Sequence, residues 1–256
     1  MRTVPVAPPR LDAVPPTADS DAAPAPVPRS ALPAAVLWDM DGTLVDTEPY
    51  WMAAEHALMA DFGIPWTAED GLSMLGLPLL AAGEVLREHG VPLAAEAIVD
   101  RLLASVVAAV ADAAPWQPGA HELLVSLREA GVPCALVTMS YRSLADAVTR
   151  HAPEGSFAAV IAGDEVVHGK PHPEPYLRAA EVLGVDIAAC VAIEDSPPGV
   201  GSALASGART LGVEHIVPVE RRPGLSRVGS LSGIGLGELA RIMSGETIDL
   251  LDETAA

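Results

Sequence analysis

The stretch "AVLWDMDGTLVDTE", Ala35 to Glu48, ends an apolar run in Asp39 and places Asp41 two residues later. Carboxylates that close repel each other, so the pair is either a solvated turn or the partner of a cation. Other apolar runs end in the same way. "CALV" leads into Thr138, and "CVAI" leads into Glu194 and Asp195. If these runs are neighbouring parallel strands, their polar ends converge beyond the carboxyl edge of a sheet, where open α/β folds bind ligands. Carboxylates gathered there raise one another's pKa unless a cation sits among them. A hard divalent ion with oxygen ligands, Mg2+ above all, suits that donor set. "GDEVVHGKPHPEPY" adds a positive side chain, Lys170, just before a proline that starts a helix.

Such a constellation suits phosphoryl transfer. Mg2+ and Lys170 would neutralise a phosphate so that an anionic nucleophile can approach it. Asp39 is placed to attack phosphorus and form an aspartyl-phosphate. Asp41 is placed to protonate the leaving oxygen and then to deprotonate the attacking water. Thr138 and backbone N–H groups near Met40, Asp41 and Met139 could bind phosphate oxygens. Gly42 lets the backbone turn close to the site, and Thr43 could orient either aspartate. Glu194 and Asp195 could also cap the helix that follows, but two adjacent carboxylates after a buried strand favour a metal.

The elements that must position these residues are legible as alternating patterns. "AVLWD" reads as a buried strand and "DTEPYWMAAEHALMADFG" as a helix closed by Gly63, with Asp46 as its N-cap or in a supporting role. From about Pro65 to Ala114 the pattern is helical throughout. "PGAHELLVSLREAG", "YRSLADAVTRHA", "PEPYLRAAEVLG" and "PPGVGSALASG" read as helices, while "PCALVT", "FAAVIAG", "CVAIED" and a last short "ARTLGV" read as strands. Strand alternating with helix implies a parallel sheet with helices on both faces, interrupted by a helical insertion that could serve as a lid. Beyond about Glu220 the pattern fades, leaving one short amphipathic helix, "GELARIM", and an acidic tail. Residues 1–33 are rich in proline and alanine and read as a disordered tail, a mis-annotated start or a partner-binding arm.

Bulk properties bound the rest. The chain has 256 residues, half of them hydrophobic, enough for one sizeable domain with an insertion. A net charge of −19 argues against general nucleic-acid or anionic-membrane binding. No window resembles a membrane span or a secretory signal. Cys134 and Cys190 lie inside apolar runs and read as buried free thiols of a reducing, cytoplasmic compartment. His121, His151 and His168 have no partner at ligand spacing. Arg142 is a weak candidate for gripping a distal substrate group, and Trp51 and Trp66 read as lid or core packing.

"DMDGT", "VTMS", "GKPHPEPYL" and "IEDSPPG" resemble, in order and context, the four motifs of the haloacid dehalogenase-like hydrolases. The resemblance spans roughly Ala34 to Val219. It implies a Rossmann-like doubly wound core, 34–48 and 115–219, with an inserted all-helical cap at 49–114 and a partly disordered extension at 220–256. It also implies Mg2+-dependent phosphatase or phosphomutase activity. By motif, Asp39 is the nucleophile and Asp41 the acid/base. Thr138, Met139 and Lys170 hold the phosphate. Asp39, the Asp41 carbonyl and Asp195 hold Mg2+, with Glu194 assisting directly or through water. The placement of the insertion is similar to that of the β-phosphoglucomutase-like and sugar-phosphatase-like branch. The chain departs from the mutases there: Trp51 stands where they carry His, and "LGLPLLAAG" lacks the Arg that holds a second phosphate. The expected function is therefore hydrolysis of a small organic phosphate monoester, a sugar or polyol phosphate among the candidates. A phosphomutase and a non-catalytic regulatory protein that retains the fold are the rivals.

Overall fold

The computed structural model describes residues 27–74 and 77–251. The proline- and alanine-rich stretch up to residue 26, the final residues 252–256, and Leu75 and Gly76 of the cap loop lie outside the described residues.

Six parallel strands form one sheet in the order β3-β2-β1-β4-β5-β6. They are β1 (Ala35–Trp38), β2 (Cys134–Val137), β3 (Phe157–Ile161), β4 (Cys190–Glu194), β5 (Arg209–Val213) and β6 (Leu225–Val228). The strand order reverses at β1, which pairs with β2 on one side and β4 on the other. This is the doubly wound, Rossmann-like arrangement expected from the alternating pattern. β1, β2 and β4 are buried along their whole length, which is why they read as unbroken apolar runs and not as alternating ones. Alternate residues still face opposite cores. Val36 and Trp38 join a large cluster with Leu123, Leu127 and Ile242, while Ala35 and Leu37 join Tyr176, Ala179 and Ala203 on the other face.

Between β1 and β2 lie α1 (Glu48–Asp61), α2 (Ala68–Leu72), α3 (Leu79–Glu88), α4 (Ala95–Asp112) and α5 (Ala120–Glu129). The first four form the all-helical insertion. α6 (Arg142–Thr149), α7 (Glu174–Leu183) and α8 (Pro197–Ser206) alternate with the later strands, and α9 (Leu236–Met243) follows β6. α8 shows how local chemistry sets a boundary. The Ser196 side chain accepts from Gly199 N, prolines occupy the first turn, and Gly207 ends the helix at φ 90°.

Three expectations are corrected. The sheet does not stop at "ARTLGV": Leu225–Val228 adds a sixth strand, and α9 packs back on the core, so residues 220–251 belong to the fold. Ser226 and Arg227 hid this strand from a hydrophobicity reading. Both are buried and satisfied, Ser226 Oγ by Ile248 N and the Arg227 guanidinium by Val219 O and Asp249. The stretch expected to be a disordered tail up to residue 33 includes residues that belong to the fold. Arg29–Ala31 forms a short 3-10 turn, Leu32 is buried in the core, and Arg29 donates to Gly131 O. Asp46 is not the cap of α1. Thr47 holds that position and spends its hydroxyl elsewhere, while Asp46 Oδ1 lies 3.4 Å from His215 Nε2.

Both cysteines are free and buried, and burial pushes their thiols up, Cys134 to about 12 and Cys190 to about 11. No helix among the described residues is long and apolar enough to cross a membrane.

Inside the insertion, the Glu55 carboxylate on α1 is buried with Trp66, whose Nε1 donates to Oε2 at 3.4 Å. Burial first, and the nearby Glu48 charge after it, push Glu55 from 4.5 up to about 7, against the pull of the indole N–H. The folded protein therefore binds more protons than the unfolded chain between those values, and this group's contribution to stability falls as pH rises through the window. Glu55→Gln should melt at a higher temperature than the parent above about pH 7 and at the same temperature below pH 4.5, the ordinary value of the carboxyl. Thermal melts across pH check this, and melting temperatures equal at both ends would contradict it.

Candidate active site

The carboxyl ends of β1 and β4 lie side by side, with Trp38 paired to Ile193 and Asp39 N donating to Ile193 O at 3.0 Å. This is where the strand order reverses, so a crevice opens between the loops that leave β1 and β4. Asp39 is carried directly off β1. Glu194 is the last residue of β4 and Asp195 the next. One carboxylate oxygen from each of these three residues lies within 4.8 Å of the others. Asp39 is 6% exposed and Glu194 fully buried.

Lys170 reaches this cluster from the loop ahead of α7. Its ammonium lies 2.6 Å from Asp39 Oδ1 and 2.6 Å from Glu194 Oε1, and it also donates to Val137 O at 2.9 Å. Burial alone would strip the proton from Lys170, yet Asp39 and Glu194 outweigh it and hold the amine charged above its ordinary range. Asp39 is pushed up to about 7, by burial first and by Glu194 next, with Lys170 opposing. Asp195 is raised well above its usual value by burial and then by the charges of Asp39 and Glu194. One lysine does not balance three carboxylates. A compact donor set of oxygens whose ionised form is held back by mutual repulsion fits a hard divalent cation.

Glu194 has several partners of its own. Oε1 accepts from Tyr176 at 2.6 Å as well as from Lys170, and Oε2 accepts from Ser196 Oγ at 3.2 Å. Asp195 is held by Thr43, whose hydroxyl donates to Oδ1 at 3.2 Å. Gly42 allows the closest approach. It sits at φ 89°, and a Cβ there would lie 2.1 Å from Asp195 Oδ2. The turn it belongs to is closed by Gly42 N to Val45 O at 2.8 Å and by Leu44 N to Met40 O at 2.9 Å. Gln117, on the strand-like return from the insertion, donates its side-chain amide to Gly42 O at 2.9 Å.

The Asp41 carboxylate is held by three hydroxyls. Thr47 donates to Oδ1 at 2.5 Å, while Thr138 at 3.1 Å and Ser140 at 2.8 Å donate to Oδ2. Thr138 Oγ1 in turn accepts from Ser140 N. Met139 lies under the lysine loop, where its Sδ accepts from Lys170 N and its carbonyl packs against Gly163. The structure thus brings Asp39, Asp41, Thr138, Met139, Lys170, Glu194 and Asp195 to one end of the sheet.

Several site residues escaped the sequence reading. Tyr176, six residues after Lys170, is one turn into α7 and so faces the same strand end. Ser140 enters through its side-chain hydroxyl. Thr47 and Glu48 open the insertion at the rim of the site. Glu48 is pushed up to about 7 by burial, then by the charges of Asp41 and Asp46. Arg142 is no distal substrate grip: its guanidinium is occupied by Asp146 and Glu165. Trp51 packs against the large core cluster and Trp66 stacks edge-on with His89, as expected of packing residues. His168 does have a partner, Glu174, and His121 stacks edge-on with Trp116.

A family model described as haloacid dehalogenase-like hydrolase matches residues 33–207. Hexitol phosphatase B of Escherichia coli K12 is 32% identical over 181 residues, 69% of this chain and 82% of that protein. Protein CbbY of Rhodobacter capsulatus is 34% identical over 191 residues, 69% and 83% of the two chains. Among solved structures, CbbY from Rhodobacter sphaeroides in complex with phosphate superposes with a TM-score of 0.72 at 27% identity, covering 81% of this chain and 99% of that one. The chain belongs to the haloacid dehalogenase-like hydrolases, and its helical insertion after β1 places it in their β-phosphoglucomutase-like branch.

Replacing Gly42 tests the geometry without touching a charged group. Gly42→Ala must adopt a left-handed backbone, at a cost of about 1–2 kcal/mol, and must also push the Asp195 carboxylate aside. Urea melts should show at least that loss, whereas a midpoint equal to the parent's would place Asp195 elsewhere.

Proposed function

We propose that this hydrolase is a Mg2+-dependent phosphatase that cleaves a small organic phosphate monoester through an aspartyl-phosphate on Asp39. The observation that carries the reading is the meeting of Asp39, Lys170 and Asp195 at the point where the strand order reverses, with Asp41 two residues from the nucleophile and outside the lysine's grip. Asp39, Asp195 and the carbonyl of Asp41 would hold Mg2+, with Glu194 assisting through water because Lys170, Tyr176 and Ser196 occupy its oxygens. The bound ion supplies charge neutralisation for the phosphate and for the nucleophile's approach.

Asp39 keeps a carboxylate oxygen for phosphorus because Lys170 holds the other. In the first step an Asp39 oxygen forms a bond to phosphorus while the bond from phosphorus to the substrate's ester oxygen breaks. The departing alkoxide takes a proton from the Asp41 carboxyl. In the second step the Asp41 carboxylate removes a proton from water, the water oxygen bonds to phosphorus, and the acyl-phosphate bond to Asp39 breaks. Phosphate leaves and both aspartates are restored. Lys170 binds the transferring group throughout, and Thr138 and the backbone beside Met139 complete its cradle once Thr138 releases Asp41. Thr47 is the N-cap of α1, so its hydroxyl bond ties the orientation of Asp41 to the position of the helices.

Helices α1 to α4, residues 49–114, act as the cap that closes over the substrate's alcohol portion. The relative named hexitol phosphatase B supports a phosphorylated sugar or polyol as substrate, and the CbbY structure in complex with phosphate supports phosphate as the group held. Glu48, half-buried at the cap's edge, adds an acceptor for a substrate hydroxyl. Two buried, inert thiols support a reducing, cytoplasmic setting.

A panel of metabolite phosphates with Mg2+, read as relative kcat/KM, tests the reading. Phosphate should be released from sugar or polyol monophosphates, and release should stop on chelation and return with Mg2+. No release from any panel member would overturn the assignment. Asp39→Asn should abolish turnover and phospho-enzyme formation together, and unchanged activity in that variant rejects the covalent route. Asp41→Asn should slow turnover about 100- to 10,000-fold, with the loss shrinking for substrates whose leaving group needs no proton.

A further inference from the structure

The loop that carries Lys170 is bracketed by two histidines, and both fall on the same outer surface. His168 lies two residues before the lysine and His172 two residues after it. Their rings stack at a centroid distance of 4.6 Å and a tilt of 35°. Glu174, the first residue of α7, completes the group, with Oε2 2.8 Å from His168 Nδ1. A ring nitrogen from each histidine and a carboxylate oxygen of Glu174 lie within 4.8 Å of one another. None of the three has a role in the reaction proposed above.

We propose that His168, His172 and Glu174 form a second metal site, for a divalent transition ion such as Zn2+, that clamps the Lys170 loop from outside. The donor set separates it from the carboxylate cluster: two imidazoles and one carboxylate suit a borderline ion, whereas oxygen alone suits Mg2+. Two stacked imidazoles gain little from their contact in water and repel when both are charged, but a shared cation makes the arrangement favourable. The group is also built to hold still. The Glu174 carboxylate accepts from Val167 N at 2.8 Å and His168 N at 3.0 Å, which fixes the loop to the start of α7. The His172 carbonyl accepts from Ser202 on α8 at 2.6 Å, which fixes the second histidine's backbone. The His168 side chain is 62% exposed, so an ion can reach it without local unfolding, and water fills the remaining coordination positions. An overall charge of −19 raises the concentration of divalent cations near the surface. Because the ligands flank Lys170 on both sides, an ion there stiffens the turn that must let the ammonium follow phosphate on and off Asp39.

Metal-free protein in saturating Mg2+, which keeps the carboxylate cluster filled, should be titrated with Zn2+ against a chromogenic chelator. One Zn2+ should bind per chain. His168→Ala and His172→Ala should each weaken that binding by about tenfold or more, and the double variant should lose it, with circular dichroism and melting temperature unchanged in the absence of Zn2+. Co2+ should give the visible absorption of a low-coordinate nitrogen site in the parent alone. A double variant that binds Zn2+ with the parent's stoichiometry and affinity overturns the proposal and leaves the trio a simple ion pair with a stacked ring. The clamp rests on the phosphatase reading and has a separate readout. Zn2+ should slow phosphate release by the parent and spare the double variant, and equal inhibition of both overturns the clamp. The binding arm needs no turnover, so a failure of the phosphatase reading cannot be mistaken for a failure of the site.

Discussion

The burial of Lys170 between Asp39 and Glu194 is the contact on which the rest of the structure depends. Three carboxylates at adjacent strand ends would not tolerate burial with so little counter-charge, and the lysine reaches them only because a loop from beyond β3 folds under the edge of the sheet. Removing either partner of such a buried pair costs about 3–5 kcal/mol, because the other is left charged and dry. The strand order, the close turn at Gly42 and the placement of Tyr176 all serve to bring charges from distant parts of the chain to one point. The remaining imbalance, visible in the raised pKa values of Asp39 and Asp195, is what gives the crevice its demand for a further cation.

Around that point the work is divided between two sets of contacts. Asp39 belongs to the buried electrostatic cluster. Asp41, two residues on, belongs to a set of neutral hydroxyls from Thr47, Thr138 and Ser140. Two carboxylates so close in sequence are thus given different environments by different partners. This is the physical answer to the crowding in "DMDGT". One side chain is held against a lysine and a candidate metal site, the other by hydroxyl donors that orient it.

Much of this was legible in the chain because the chemistry falls at the ends of buried strands. An apolar run that stops in Asp39, Thr138 or Glu194 announces both the strand and the site, and the parallel sheet then follows from the alternation with helices. What escaped had a common cause: partners far apart in sequence. β6 was invisible because Ser226 and Arg227 look like loop residues until Asp249 and Val219 arrive to satisfy them. Asp46 looked like a helix cap because it precedes a helix, but the chain at that position answers to His215 and Pro115 instead. Tyr176 and Ser140 carry no signal of their own, and only the fold shows that they face Glu194 and Asp41. His168 is the exception: its partners His172 and Glu174 are close in sequence, and only the turn through Pro171 brings them together.

The two strands of chain that lead into and out of the helical insertion run against each other. Val45 pairs with Trp116, Asp46 N donates to Pro115 O, and the Gln117 side chain reaches back to Gly42. Entry and exit are therefore stitched together before the first helix begins and after the last one ends. The insertion is thus a cassette whose two splice points are both anchored in the turn that follows β1. Its entry and exit move together, so a tilt of the helices reaches Asp41 through Thr47, whose hydroxyl donates to that carboxylate.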